Sequence, residues 1–264
     1  MTIVLIAIIA YLAATGLLVG ELRNGRPAGG PRPWWWLAWT GTACHALAHV
    51  MAWHATGRAD LHFFAALSLV GLGMAGLTAV FATRGRMAAL GVVVFPLAAA
   101  VLAADFMHEP GVARALDWRL QLHAWLALLA YATLAVAALL AVMLWLQERA
   151  LRRREIHGWL RALPPLVELE TLLFRTITVG FILLSATLLT GLLFVENLLA
   201  QHLVHKTVLS VLSWLVFGGL LLGRWRHGWR GAKAVHWTLV AMSLLVLAFF
   251  GSKYVLELIL QRGT

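Results

Sequence analysis

The chain has 264 residues, of which 62% are hydrophobic and only 12% are charged, and its formal net charge is +10. An ordinary globular domain is about 45–50% apolar and about 25% charged, so this composition excludes a soluble enzyme, a disordered protein and a disulfide-rich scaffold. A mean hydropathy of +0.85 predicts instead a chain that lies in a lipid bilayer. The one cysteine, Cys44, excludes an internal disulfide and a CxxC redox or zinc motif.

Eight apolar stretches predict an all-α integral membrane protein, a bundle of about eight transmembrane helices in a single domain over 1–264. Each stretch is long enough for a helix to cross a hydrocarbon core of about 30 Å. None shows the period-two alternation of membrane β-strands. The predicted spans are 2–21, 34–54, 62–83, 87–106, 120–147, 172–197, 203–223 and 236–257.

The basic residues predict the orientation of these spans. Most of the 21 Lys and Arg residues fall in alternate connections, at 22–33, 84–86, 148–171 and 224–235. Because Lys and Arg collect in cytoplasmic loops, we place these loops in the cytoplasm and both termini in the periplasm of a bacterial inner membrane. The positive charge is thereby explained by topology. The lipid bilayer is the expected partner, and nucleic acid is not.

The connection at 148–171 is the one sizeable extramembrane piece that the pattern predicts. It carries arginine at 152–154, and Pro164 and Pro165 stop any helix before the sixth span. A solvated linker near anionic lipids is the preferred interpretation. The alternative is that this stretch docks a membrane or cytoplasmic protein partner.

Histidines are the most informative polar residues of the predicted spans. A helix rises 1.5 Å per residue, which puts His49, His123 and His205 within about one or two turns of one level near the periplasmic leaflet. His45 lies one turn deeper, on the helix face of His49. Ionisable groups in a bilayer are costly, so each of them is a functional hypothesis.

Imidazoles from separate helices at one depth are the ligands that a haem iron accepts in a helical bundle. Lys206 and Arg119 lie at the level where haem propionates would meet water. Zinc is a competing interpretation of the histidines. For any single histidine, a hydrogen bond between helices or a place at the interface is the alternative.

Two acidic residues near predicted helix ends receive simpler interpretations. Asp105 ends the fourth span and is expected to face water. Glu170 lies five positions before Arg175 at the start of the sixth span, and a local salt bridge between them is expected.

Runs of sequence at 44–49, 122–134 and 205–217 contain the histidines discussed above, and they resemble the cytochrome c assembly family, the haem-handling CcsA-, CcmC- and HemX-like membrane proteins. LHAWLALLAYATL at 122–134 resembles the family's helix with an external haem-ligand histidine, which here is His123. CHALAH at 44–49 is similar to its second-helix histidine segment, with His45 at the matching position. HKTVLSVLSWLVF at 205–217 is similar to the helix that follows its tryptophan-rich motif.

The resemblance extends over nearly the whole chain. HGWRG at 227–231 and FFGSKYV at 249–255 resemble the closing segments of the short eight-helix members, the YpjD-type inner-membrane proteins. The resemblance implies that the chain is a multi-pass protein of the inner membrane and that haem is its cofactor. We expect four residues to contact haem, namely His45, His49, His123 and His205. Of these, His123 and His205 would ligate its iron.

The chain departs from the fuller family members at 198–207. LLAQHLVHKT stands there in place of a WxWDxxE-like motif. The resemblance therefore implies haem binding or handling related to cytochrome c biogenesis without the full ligase reaction, and we expect no enzymatic activity. The alternative is a non-enzymatic accessory or regulatory membrane protein, either a HemX-like effector of haem synthesis or a divalent-cation tolerance factor.

Overall fold

A computed structural model describes residues 1–24, 32–57, 61–82, 86–108, 117–153, 165–194 and 204–251. These ranges contain helices and no strands, so the all-α prediction is confirmed for this part of the chain. A 3-10 turn at Arg86–Leu90 precedes the fourth helix, and a π-helical turn at Leu247–Gly251 follows the eighth. The α-helices are α1 (Thr2–Arg23), α2 (Pro33–Thr56), α3 (Phe63–Ala82), α4 (Gly91–Met107), α5 (Trp118–Arg153), α6 (Leu166–Phe194), α7 (Val204–His227) and α8 (Ala232–Val246).

Seven helices within the described ranges are long and apolar enough to cross a membrane. They are α1 and α3 to α8, with the adjoining 3-10 and π turns extending α4 and α8. α2 is 24 residues long but is less apolar than these seven helices, because it contains several tryptophans and histidines. The prediction of a multi-pass membrane protein is thus confirmed. An eighth span and periplasmic termini stay predictions.

Two helices extend six residues beyond their predicted bounds, further than any other described helix. α6 begins at Leu166 rather than at 172, directly after Pro165, because proline disrupts a helix interior but is tolerated at its start. α5 continues to Arg153 rather than ending at 147. Residues 154–164, the centre of the stretch interpreted as a solvated linker, with partner docking as the alternative, lie outside the described residues.

The chain divides into two compact units, and the first comprises Met1–Ala115 with Arg149–Pro165. In this unit α1 packs against α2 and α4, and α3 packs against the same two helices. Tyr11 is fully buried at the centre of α1. Its ring fits against Gly41 of α2, where a Cβ atom would lie 2.9 Å from Tyr11 Cδ1. The glycine therefore permits the close approach of the two helices.

The second unit comprises Leu116–Glu148 with Leu166–Thr264. α7 packs against α6, α8 and the π-helical turn. Gly180 of α6 receives Leu134 of α5, because a Cβ atom there would lie 2.5 Å from Leu134 Cδ2. Tyr131 of α5 donates its hydroxyl hydrogen to the Leu245 carbonyl of α8 over 2.6 Å. The prediction of one domain over 1–264 stays a prediction.

Candidate functional site

His45 is 0% exposed in the first unit, although it carries a polar ring. Its Nε2 lies 2.9 Å from Ser68 Oγ of α3, and its Nδ1 lies 3.4 Å from the Tyr11 hydroxyl of α1. His49, one turn further along α2, places its Nε2 3.0 Å from the same Ser68 oxygen. The common helix face predicted for His45 and His49 is therefore confirmed, and a serine hydroxyl joins the two rings.

Asp105 was expected to face water, but it does not. Its side chain is 17% exposed, and its Oδ1 lies 3.4 Å from Nε2 of His62. Its Oδ2 lies 4.0 Å from Nε2 of His49. The prediction was wrong because the last turns of α4 place the carboxylate between two imidazoles, that of His49 on α2 and that of His62 just before α3. These rings take the place that water would otherwise have beside the carboxylate.

A zinc site needs three or four protein ligands at one point. In the ranges that the structure covers, no group of three or more His, Cys, Asp or Glu residues is arranged to hold a metal ion. The zinc interpretation of the histidines therefore has no support from this part of the chain.

The second unit contains a cavity of about 630 Å³, within the range of small-molecule and cofactor sites. α5, α6, α7, α8 and the π-helical turn all contribute to its wall. The remaining lining is mainly Ala, Leu and Val. The side chains with polar groups in the wall are His123, Tyr131, Ser185, Thr187, Lys206, Thr207, Ser210 and Trp214.

The hydrogen bonds of Thr190 determine which nitrogen of His123 carries its hydrogen. The Thr190 hydroxyl donates to backbone carbonyls of its own helix, 2.9 Å from Ala186 O and 3.0 Å from Thr187 O. With its one hydrogen used, Thr190 Oγ1 accepts from His123 Nδ1, which is 3.2 Å away. This arrangement favours the neutral tautomer with the hydrogen on Nδ1 and the lone pair on Nε2, the form in which histidine binds a metal.

The structure separates the four histidines expected to contact haem into two groups. His45 and His49 lie together in the first unit, and His123 lines the cavity of the second. His205 is exposed and does not line this cavity, although its neighbour Lys206 does. Haem contact by these four residues, and iron ligation by His123 and His205, stay predictions.

Sequence reasoning missed Ser68 and Thr190, the two hydroxyl residues that orient the histidines. Each is a small polar residue in an apolar helix. Thr178 of α6 shows the same local pattern as Thr190, because it also donates to its own helix, at Phe174 O. The sequence therefore contains no local signal that distinguishes a residue which orients a histidine from one that does not.

Glu170 does not pair with Arg175, as the sequence predicted, but with two other arginines. It is 3% exposed. Its Oε1 lies 2.6 Å from Arg224 Nη1 and 3.0 Å from Arg230 Nε, while Arg175 is exposed. The local prediction was wrong because residues five positions apart do not face each other on a helix. The partners come from the end of α7 and the turn that leads to α8.

Comparison with known proteins places the chain among membrane proteins of one family. A family model described as Cytochrome C assembly protein matches residues 34–260. Inner membrane protein YpjD of Escherichia coli (strain K12) is 32% identical over 262 residues, which cover 97% of this chain and 98% of that protein. Protein HemX of Brevibacillus brevis is 28% identical over 131 residues, 49% of this chain and 48% of that protein.

A shorter match reaches a further relative. Cytochrome c biogenesis protein CcsA of Prochlorococcus marinus is 26% identical over 89 residues, which cover 33% of this chain and 28% of that protein. No solved structure gives a significant match to the chain.

Proposed function

The chain belongs to the cytochrome c assembly protein family and is a multi-pass protein of the inner membrane, and from this premise we propose that it binds or handles haem in the cavity of the second unit. One observation carries the proposal. His123, with its Nδ1 held by Thr190 and a lone pair on Nε2, lines an apolar cavity of about 630 Å³.

The residues of this cavity fit a haem. Its alanine, leucine and valine side chains suit the apolar macrocycle, and the polar groups are few. His123 would hold the iron, and the Lys206 ammonium would stabilise a propionate. His205, the other predicted iron ligand, is exposed and does not line the cavity, so His123 is the iron ligand that the cavity supports. A bound haem would supply ligand exchange and electron transfer at iron, while the protein holds and orients it.

Family membership supports a haem-related role in the membrane. The CcsA relative is named for cytochrome c biogenesis. We propose a related role for this chain, in which it holds haem without the ligase reaction and without enzymatic activity. His45 and His49 of the first unit remain proposed haem contacts. Both already hydrogen-bond to Ser68, so such contacts would replace existing bonds.

The absorption spectrum tests haem binding. The wild type, purified in mild detergent from haem-replete cells, should show a Soret band. The double variant His123→Ala/His205→Ala should lose it, and His236→Ala, an exposed histidine of α8, should keep it. A wild type without the band, or a double variant with the wild-type spectrum, would reject the proposal.

A second candidate function is that of an accessory protein acting through a partner, for example in haem synthesis or divalent-cation tolerance. It is favoured by the end of α5, where Arg152 and Arg153 are exposed. Glutamine at both positions should remove partners from cross-linked complexes and reproduce the knockout phenotype. Unchanged complexes and a wild-type phenotype would exclude docking at this end.

The proposed topology has eight spans, with α2 as the additional one and both termini in the periplasm. α2 is 24 residues long and thus about 36 Å in length, enough to cross the hydrocarbon core. Alkaline phosphatase, which is active only in the periplasm, should be inactive when fused after Asn24, before α2, and active when fused after Gly57, behind it. The opposite pattern would invert the topology, and equal activity would remove the eighth span.

A further inference from the structure

On one side, the wall of the cavity in the second unit is also part of the outer surface of the protein. Leu189 and Leu192 of α6 line the cavity and are 56% and 67% exposed, and Val211 of α7 lines it and is 39% exposed. Tyr131 of α5 and Leu245 of α8 line the same cavity but are only 7% and 1% exposed. The first three residues are therefore exposed to the outside, and the cavity opens between α6 and α7. We call Leu189, Leu192 and Val211 the rim.

The surroundings of the rim indicate that this opening faces lipid and not water. α6 and α7 are both long and apolar enough to span a membrane. A spanning helix that exposes apolar side chains presents them to the hydrocarbon core. Leu189 lies about 8 Å along the axis from the end of α6 at Phe194, and Val211 lies about 10 Å from the start of α7 at Val204. The exposed neighbours of the rim on the two helices are also apolar, namely Leu193, Val208 and Leu212.

A hydrogen bond between α6 and α7 limits the opening on one side. The Trp214 indole of α7 donates its Nε1 hydrogen to Ser185 Oγ of α6 over 2.8 Å. The same indole stacks on Phe181 of α6 with ring centroids 5.5 Å apart. Both contacts lie about one helical turn or more beyond Leu189 and Val211. The two helices are therefore joined on that side of the rim, and the cavity is open on the other side, toward Lys206.

Lys206 gives the cavity its charge. Among the described residues that line the cavity, it alone carries a formal charge when histidine is neutral. Lys206, Ser210 and Trp214 follow one another at intervals of four residues, so they lie along one face of α7. An ammonium group thus stands at the open side of an otherwise mainly apolar wall. This arrangement suits a ligand with an apolar body and an anionic group.

We propose that the cavity takes up its ligand from the lipid bilayer, sideways between α6 and α7, and that this ligand is an anionic amphiphile. The apolar body passes the rim, while Lys206 attracts the anionic group. The identity of the ligand rests on the proposed function, since haem combines an apolar macrocycle with anionic propionates. The rim then controls the rate of entry, and His123 controls the strength of binding.

Spin-label accessibility tests the opening without haem. Ser210→Cys in a Cys44→Ala background provides a single labelling site in the cavity wall, because Cys44 is the one native cysteine. The labelled protein in lipid nanodiscs is exposed to oxygen, which concentrates among acyl chains, and to a nickel chelate, which stays in water. Leu212→Cys, exposed beside the rim, is the lipid reference, and Arg226→Cys, exposed at the end of α7, is the water reference.

The label at position 210 should collide with oxygen about as often as the label at 212, and its collisions with the nickel chelate should be largely lost relative to 226. Nickel collisions as frequent as at 226 would show that the cavity opens to water. A label that meets neither reagent would show a closed cavity. Either result would overturn the proposal.

The rate of haem uptake tests the route. Haem added to proteoliposomes of the haem-free protein enters the bilayer first, and growth of the Soret band then reports its passage into the cavity. Val211→Trp narrows the rim and should slow this growth about tenfold, measured relative to the variant's own final amplitude. Leu212→Trp adds the same bulk to an exposed neighbour that does not line the cavity, and should load at the wild-type rate.

Equal rates in the wild type and both variants would overturn entry between α6 and α7. A wild type that never develops a Soret band would reject haem binding instead. In that case the spin-label result still decides whether the cavity opens to lipid, so failure of the entry route and failure of the proposed function are distinguishable.

Discussion

Gly191 lies directly against the imidazole of His123, so that a Cβ atom at Gly191 would be 3.1 Å from Cε1 of the ring. We expect Gly191→Ala to displace the ring by a few tenths of an ångström and weaken haem binding about tenfold, or ~1.4 kcal/mol. Titration of the haem-free protein with haem, followed by absorbance, measures the change. Gly219→Ala of α7 is the control, because a Cβ there meets nothing within 4 Å. Equal affinities in the two variants would contradict the prediction.

Thr190 orients His123 through an oxygen atom, and valine has the same shape without that oxygen. Groups that orient a metal ligand typically contribute 10–100-fold to metal affinity. We therefore expect Thr190→Val to weaken haem binding by about that factor while the protein remains folded. Thr178→Val, on the same helix, removes a hydroxyl that bonds only to Phe174 O and should bind haem normally. A Thr190→Val variant with wild-type affinity would show that His123 needs no such support.

Glu170 is a buried carboxylate between two guanidinium groups, of which Arg224 is 31% and Arg230 is 55% exposed. Glu170→Gln keeps the shape of the side chain and removes its charge. We expect the free energy of unfolding to fall by about 1.5–3 kcal/mol, the range of hydrogen bonds to charged groups, with the lower end favoured because solvent screens both arginines. Thermal unfolding in detergent measures it. Glu168→Gln, at an exposed position in the first turn of the same helix, should change little.

Gly223 of α7 lies under the indole of Trp229, and a Cβ atom at this position would overlap the ring. Overpacking of this kind costs about 1–3 kcal/mol, so Gly223→Ala should lower the unfolding temperature. Gly219→Ala, where the same change meets no atom, should be neutral or stabilising. Equal unfolding temperatures of the two variants would contradict this prediction.

The sequence predicted the helices well because apolar length is a local property. The stretches 34–54 and 203–223 correspond to α2 and α7, whose observed bounds differ by a few residues. The start of α6 was less accurate, because a proline pair can stop one helix and also precede the next. The span at 236–257 reaches beyond the described residues, and its observed part includes a π-helical turn that no local pattern indicated.

The polar contacts between helices were harder to predict. Sequence spacing placed His45 and His49 on one face of α2, since that depends on one helix only. It could not show that Ser68 lies between them, because the rotation of α3 about its axis depends on packing. For the same reason Asp105 was assigned to water and Glu170 to a neighbour on its own helix. Both carboxylates instead have partners on other elements.

Rescue of His123→Gly by free imidazole tests the central claim most directly, that His123 holds haem iron in the cavity of the second unit. Glycine removes the ring and leaves a space that an imidazole molecule can occupy. We predict that the variant purified from haem-replete cells lacks the Soret band of the wild type, and that adding imidazole together with haem restores it. A variant that keeps the wild-type band without imidazole would contradict the assignment of His123, and so would a band that imidazole cannot restore in a folded variant.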